Sequence, residues 1–424
     1  MSFFASAVPA NDLLRYGEQG IFVPLNDLID KYAPNFKKLM EDNPEIERAI
    51  TFPDGNIYSL PNIAAEDFTS LRVGAMPWIN TDWLEALDMD MPETTDEFYE
   101  YLKGVKEEDV SGTGQNDEIP YGGTQINHLI QWLQGAFGIN NRGDGMFDIA
   151  EDGNLRFIPT ADGYKEMLEY LHKLYDEELI EQNIFSIEHA QYLANRSSER
   201  YGSTVFWAAE EFEGTYDSAS ALVGPHGDQA FTSVLPIVSG LGEFAITSEN
   251  EHPEATMRWI DHFYTDEGTK LMYLGIEGVT YEEGDDGRYK QAEALEELPT
   301  AELQEEVTKH VTWQGVNPPG LTLEDYFLGA ETLPLTLDGA ERIAPYLPET
   351  TWSDFTYTLE ENQRLSALRT DIETYVEEMR DQFIIGRFSF SEWDDYVDTI
   401  ENMGLEEYMS IQEDAYERYL NVTD

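Results

Sequence analysis

The sequence predicts an α/β fold, and three observations carry that prediction. Short β-type runs (GNIYSLP, LRVGAMPWI, EIPYGG, GSTVFW, TSVLPI and GEFAITS) alternate with amphipathic helical stretches, the order expected of sheets covered by helices. From about 350 onward the pattern is almost wholly helical. At roughly 150 residues per domain, the 424-residue chain is long enough for two or three domains.

Each helix can be justified from its own residues. In PETTDEFYEYLKGVKEED, Thr94 and Glu97 have the spacing of a capping box, and Phe98, Tyr101, Leu102 and Val105 fall on one face. In DGYKEMLEYLHKLYDEELI the stripe is Tyr164, Met167, Leu168, Leu171, Leu174 and Tyr175. TDIETYVEEMRDQF repeats the pattern, with Thr370 and Glu373 as the expected cap and Ile372, Tyr375, Val376, Met379 and Phe383 on the apolar face. All three read as core-facing helices. There is no internal repeat, and the only compositional bias is a diffuse acidity.

That acidity bounds the partners. Eighty-five acidic residues against 25 basic ones give a formal charge of −60, a surface that repels nucleic acid and anionic lipid. A hydrophobic content of 41% supplies a packed core. With no cysteine in the chain, disulfides, thiolate zinc sites and cysteine nucleophiles are excluded, while the compartment stays open. No apolar run approaches the ~18 residues of a membrane span. The opening MSFFASAVPANDLLRYG lacks the basic region and apolar core of a signal peptide, which taken alone points to the cytoplasm.

Catalytic signatures are absent: there is no phosphate-binding Gly-Lys-Ser loop, no HExxH, no GxGxxG after a strand and no GxSxG elbow. The seven histidines (128, 172, 189, 226, 252, 262 and 310) are scattered without ligand spacing. Paired carboxylates for glycoside hydrolysis stay open, because so many acidic residues make spacing uninformative. Aromatics are more suggestive. Eight Trp, 24 Tyr and 21 Phe include Trp78, Trp207, Trp313 and Trp352 beside polar residues in loop-like contexts. Flat aromatic faces stack on sugar rings while nearby amides and carboxylates take the hydroxyls. Packing within the core is the competing reading for each tryptophan.

The stretch DVSGTGQNDEIP, residues 109–120, sets oxygen-bearing side chains at alternate positions with glycines at 112 and 114. It matches the EF-hand pattern in part, but with Glu at its tenth position and Pro120 at its twelfth it is not an EF-hand. A cation loop and a plain surface turn both fit it.

Five blocks, at 20–61, 78–109, 164–180, 252–282 and 372–419, resemble in order the extracellular solute-binding proteins of ABC sugar importers. The branch is the oligosaccharide, aldouronate and alginate-binding one, and the resemblance spans essentially the whole chain. It implies a two-lobed periplasmic-binding-protein-like fold of type 2 with a helical C-terminal region. The first lobe would hold 1–74 and 243–315, the second 75–242 and 340–424, with 316–339 as a crossover. Members begin with a lipoprotein signal peptide, a lipid-bearing cysteine and a first strand-helix-strand unit, so an amino-terminally truncated chain with an incomplete first lobe is expected.

The implied function is the substrate-binding component of an ABC transporter, a non-enzymatic extracellular lipoprotein and monomer. It would take an oligosaccharide in the cleft between its lobes and deliver it to the permease subunits; a glycoside hydrolase and a ligand-sensing subunit of a signalling receptor are the alternatives. Ligands of open α/β lobes bind at the carboxyl ends of strands, which nominates Glu66, Asp67, Thr124, Gln125, Asn127, His128 and Trp207. The resemblance adds Glu277 of GIEGVTY, Arg72 is the one basic residue near the expected hinge, and Trp78 and Trp313 enter by their polar, loop-like contexts. With few basic residues available, a neutral oligosaccharide is preferred over a polyanionic uronate. Relatives carry a loop like DPNGNGKKDEIP at 109–120, and in alginate-binding members it holds calcium. Matching by position points to Asp109, Ser111, Thr113, the Gln115 carbonyl, Asp117 and Glu118 as ligands of a structural Ca2+, braced at the end of the strand opposite the cleft.

Overall fold

The structure is a computed structural model describing residues 8–422 except 116, 141–145, 151–152, 208–211, 285–286, 296–297, 299–302, 304–305, 311–318 and 350. Two sheets organise it, each with its own core. The smaller holds β1 (Leu60–Ala64) at its centre, with β8 (Val238–Phe244) antiparallel on one side and β11 (Gly320–Thr322) parallel on the other. Around it pack α1 (Ala10–Glu18), α2 (Asn26–Tyr32), α3 (Pro34–Asp42), α4 (Pro44–Ile50), α11 (Pro253–Asp261) and α12 (Asp266–Tyr273). Leu25, Ile29, Phe36, Ile50, Leu60, Met257 and Ile260 fill the core between them.

The larger sheet runs β3 (Ile119–Tyr121), β6 (Tyr201–Phe206), β2 (Met76–Asn80), β7 (Tyr216–Ser218). β3 and β6 are parallel, and β2 is antiparallel to both β6 and β7. Every residue of β1 and β2 is buried, as expected of strands covered on both faces. The covering helices are α6 (Thr81–Ala86), α7 (Thr95–Glu107), α8 (Ile126–Leu133), α9 (Asp162–Asp176), α10 (His189–Ser197), α13 (Pro334–Ile343), α14 (Leu359–Ile384), α15 (Trp393–Asn402) and α16 (Leu405–Asn421). Two hairpins, β4 (Phe147–Ile149) with β5 (Leu155–Phe157) and β9 (Tyr281–Glu283) with β10 (Tyr289–Gln291), lie outside the main sheets.

The Thr94 to Glu97 capping box forms as expected, with Thr94 Oγ1 accepting from the Glu97 amide at 3.1 Å and the Glu97 carboxylate accepting from the Thr94 amide at 3.0 Å. The α9 stripe is buried at Tyr164, Met167, Leu168, Leu171 and Leu174. The cap expected at Thr370 is corrected. α14 starts at Leu359 under a capping box of Thr358 and Glu361, and the Thr370 hydroxyl instead donates back to the Ser366 carbonyl at 2.9 Å. No glycine or proline stands between 358 and 370 to stop the helix. Its first residue, Leu359, packs on the α1 cluster of the first lobe, and Phe383 and Ile384 near its end lie in the core of the second.

Two strand readings also shift. The first half of LRVGAMPWI is helical, in α5 (Thr69–Val73), and β2 begins only at Met76. TSVLPI forms no strand; β8 follows it from Val238, ahead of the position 243 expected for the return to the first lobe. β11 joins the smaller sheet from within the stretch expected to be a crossover.

Two carboxyl groups of the first lobe are buried enough to alter its response to pH. Burial pushes the carboxyl of Glu45 on α4 up to about 7, despite the opposing pull of Arg72 and Arg48. Burial alone does the same to Glu243 on β8, which is 5% exposed. A carboxyl whose folded value is raised binds its proton more tightly in the folded state. The stability it contributes is therefore complete at pH below the ordinary carboxylate value and lost as pH climbs through about 7. Glu243→Gln is expected to raise the melting temperature at pH 8 by about 2–4 °C and to leave it nearly unchanged at pH 4.5. A gain of equal size at both pH values would refute the assignment.

Candidate functional site

The parallel pair β3 and β6 ends on the same side of the larger sheet, and the residues that follow each strand meet there. After β3 the chain turns through Gly122 and Gly123 into Gln125, the residue before α8. After β6 comes Trp207, 47% exposed although it is one of the largest apolar side chains in the protein. The two are linked by His128: Gln125 Nε2 lies 2.9 Å from His128 Nε2, and the imidazole meets the indole edge to face at 5.5 Å and 89°. Burial lowers the pKa of the His128 imidazolium below its ordinary value, partly offset by the Val205 carbonyl. At neutral pH the ring is uncharged, accepts from the Gln125 amide and props Trp207 from the side. The half-exposed indole thus stands beside an exposed carboxamide, a pairing that suits a sugar ring with its C–H face on the indole and its hydroxyls on the amide.

Asn127 stands on the first turn of α8, where its side-chain oxygen accepts from Arg380 Nη1 of α14 at 2.6 Å. Arg380 is held in turn by Asp381. Sequence reasoning missed this arginine because it comes from a helix 253 positions away. Its effect is to fix the side-chain oxygen of Asn127.

Glu66 and Asp67 are exposed beyond the carboxyl end of β1, on the first lobe. β11 is parallel to β1, so the residues after it come alongside. The Glu324 carboxyl is pushed upward by burial and then by the negative charges of Asp325 and Asp67. The first lobe therefore presents an acidic rim made of Glu66, Asp67, Glu324 and Asp325; the last two had no signal in the sequence beyond their place after an unrecognised strand.

Trp78 is corrected outright. It is wholly buried, its indole N–H donates to the Phe206 carbonyl at 3.0 Å, and its ring packs on Phe212 at 5.2 Å. With strands on both sides of β2, its side chain has nowhere to go but the core. Arg72 is also displaced from its expected role, because its guanidinium is taken up by the hinge: it donates to the Leu235 and Glu66 carbonyls and to Thr351. Glu277 is exposed on a turn shaped by Gly275 and Gly278, both at positive φ, and no contact joins it to the Trp207 group among the described residues. Trp313 lies outside the described residues.

The base of the cleft is built around the hinge. Gly74 ends α5 with φ 60° and ψ −99°, a region closed to residues with a Cβ, and a Cβ placed there would sit 3.4 Å from Trp207 Nε1. Leu235, 52% exposed, is fixed to Arg72 by its amide at 2.8 Å. Trp207 and Leu235 thus give the floor an apolar surface, between the amides of the second lobe and the carboxylates of the first.

The 109–118 loop lies at the opposite, amino end of β3. Its oxygens turn inward: Asp109 accepts from the Gly114 amide at 3.0 Å, the Ser111 hydroxyl lies 3.1 Å from that of Thr113, and it donates to Glu118 at 2.5 Å. Burial would raise the Glu118 carboxyl, but hydrogen bonds from the Ser111 hydroxyl and from backbone amides prevail and hold it below its ordinary value. Asp117 departs from the expected ligand set, with its carboxylate 3.4 Å from Arg200 and its carbonyl accepting from the same guanidinium. Gln115 is exposed, and its amide donates to Thr113 Oγ1 at 3.2 Å. Among the described residues, no three acidic or imidazole groups converge as a metal cage.

Two α/β lobes, one with an aromatic and amide cluster at its strand ends and the other with an acidic rim, match the architecture of the solute-binding proteins of ABC importers, which are binding subunits and not enzymes. The chain's relatives include proteins of that class. The chain is 29% identical, over 96% of its own length and 78% of the relative's, to the fructooligosaccharide ABC transporter substrate-binding protein FusA of Streptococcus pneumoniae. It superimposes on FusA in complex with kestose with a TM-score of 0.76 at 27% identity, covering 97% of this chain and 86% of that one. An EF-hand mutant of FusA in complex with fructo-nystose gives 0.75 at 26% identity, covering 98% and 87%. Lipoprotein LipO of Bacillus subtilis is 28% identical over 60% of this chain, which spans about half of that relative's length (52%). No protein-family profile matches the chain.

Proposed function

We propose that this chain captures a neutral oligosaccharide, of the kestose and nystose type, between its lobes at the extracellular face and delivers it to the importer's permease. The observation that carries the reading is the exposed indole of Trp207, propped by His128 next to the exposed Gln125 carboxamide. The acidic rim of Glu66, Asp67, Glu324 and Asp325, in a chain of formal charge −60, disfavours uronates by like-charge repulsion. Kestose in the structure of FusA supports the same sugar class. Isothermal titration tests it: kestose and nystose should bind, and oligogalacturonides should not. Tight uronate binding without kestose binding would reverse the preference.

The 109–118 loop, on this reading, holds calcium as a brace for the second lobe. Ser111, Thr113 and Glu118 already bring their oxygens together while Asp109 caps the Gly114 amide of the same loop, and the hydroxyls of Ser111 and Thr113 are weak ligands for a hard cation. The ion would neutralise Glu118 where β3 begins, away from the sugar. We expect 1 mM Ca2+ to raise the melting temperature by several degrees, an effect lost in Asp109→Ala, while the kestose affinity of that variant stays within about twofold of the unmutated chain. Loss of sugar affinity without loss of stability would place the loop in the binding site after all.

A further inference from the structure

We propose that Arg72 is a positioning residue for ligand capture: by tying three chain crossings into one hinge it sets how far the lobes stand apart, without holding the sugar itself. This rests on the reading of the chain as a two-lobed solute-binding protein. Three of the chain's crossings meet at Arg72: a first runs from β1 through α5 to β2, a second from β7 to β8, and a third through 351–357 into α14. One guanidinium reaches all three. Nη1 donates to the Glu66 carbonyl at 3.2 Å on the first crossing, Nε to the Leu235 carbonyl at 3.1 Å on the second, and Nη2 to Thr351 Oγ1 at 3.1 Å on the third. The Leu235 amide donates back to the Arg72 carbonyl at 2.8 Å, so first and second crossings are held on both sides of the arginine. Thr351 is 5% exposed, and Ser353, two residues on, donates to Val238 at the start of β8.

The chemistry favours this role over a grip on ligand. A planar fork with fixed donor directions can span three acceptors, which a lysine ammonium on a flexible stem cannot do with the same geometry. The guanidinium is partly buried and lies in the field of the Glu45 and Glu66 carboxylates. A group so engaged orients backbone; it is not available as an anion receptor. Gly74, two residues on, lies close enough to Trp207 that a Cβ added there would sit 3.4 Å from the indole Nε1, so a change in hinge angle reaches the sugar platform.

The absence of cysteine makes the test clean. Glu41→Cys on α3 and Glu107→Cys on α7, both exposed and on different lobes, carry a donor and an acceptor fluorophore on the full chain. In the unliganded protein we expect a narrow distance distribution that shifts on adding kestose. Arg72→Gln should broaden the unliganded distribution and weaken kestose binding about tenfold, Arg72→Lys should lie between, and Thr351→Val, which removes one acceptor without a change of shape, should broaden it to a smaller degree. Thr351→Val decides the matter if Arg72→Gln does not fold. An unliganded distribution identical to that of the parent in all the folded variants overturns the proposal, whether or not affinity falls; a fall in affinity alone would return Arg72 to the binding site. Failure of the parent to bind kestose would refute the assigned ligand and leave the unliganded distances as a test of the hinge.

Discussion

Trp207→Ala is expected to lower kestose affinity by about 30- to 100-fold, the roughly 2–2.7 kcal/mol typical of an aromatic anchor at the centre of a binding surface. The indole is 47% exposed, so it stabilises the empty protein little, and the melting temperature without sugar should stay within about 1–2 °C of the parent. Trp207→Phe should recover part of the affinity because a smaller flat face remains. His128→Ala should cost less, since it removes only the lateral prop. Titration calorimetry and unliganded melting separate these outcomes. A Trp207→Ala variant that binds kestose as well as the parent would remove the central element of the proposed site.

The second large effect concerns stability. Asp148 on β4 is wholly buried and directly opposite Arg156 on β5. Its carboxylate accepts from Arg156 Nε at 2.8 Å and from Nη2, and also from the Asn140 amide at 2.8 Å; Arg156 donates further to the Gly138 carbonyl at 3.0 Å. Removing one partner of such a pair leaves an uncompensated buried charge, at about 3–5 kcal/mol. Arg156→Met should therefore shift the urea midpoint strongly downward, and Asp148→Leu with Arg156→Met should restore much of the loss. A cost below about 1 kcal/mol for the single variant would show that water reaches the carboxylate.

Local signals in the sequence carried the helices and the strand ends. The Thr94 cap, the α9 stripe and the placement of Gln125 and Trp207 after strands depend on residues within a turn or two of one another, and they hold. Trp78 misled because its neighbourhood, AMPWIN, looks the same whether the strand is at an edge or in the middle; pairing to β6 and β7 decides it, and that pairing is not local. Arg72 shows the same limit more sharply. Two of its partners are 163 and 279 residues away, so the one basic residue near the expected hinge read as a ligand contact. The acidic rim depended likewise on β11, a three-residue strand too short to be read against its glycine-rich surroundings.

The 26-residue helix α14 has a mechanical consequence. Rising about 1.5 Å per residue, it is roughly 39 Å long, with Leu359 seated against the first lobe and Phe383 and Ile384 embedded in the second. It is thus a lever whose load end is fixed in one body and whose tip rests on the other. A lobe rotation of about 10° would carry the tip through about 7 Å if the helix moved rigidly with the second lobe, far more than a side-chain contact can follow. A rotation of that size would therefore either unseat Leu359 or swing about it, making the apolar seat on α1 its fulcrum.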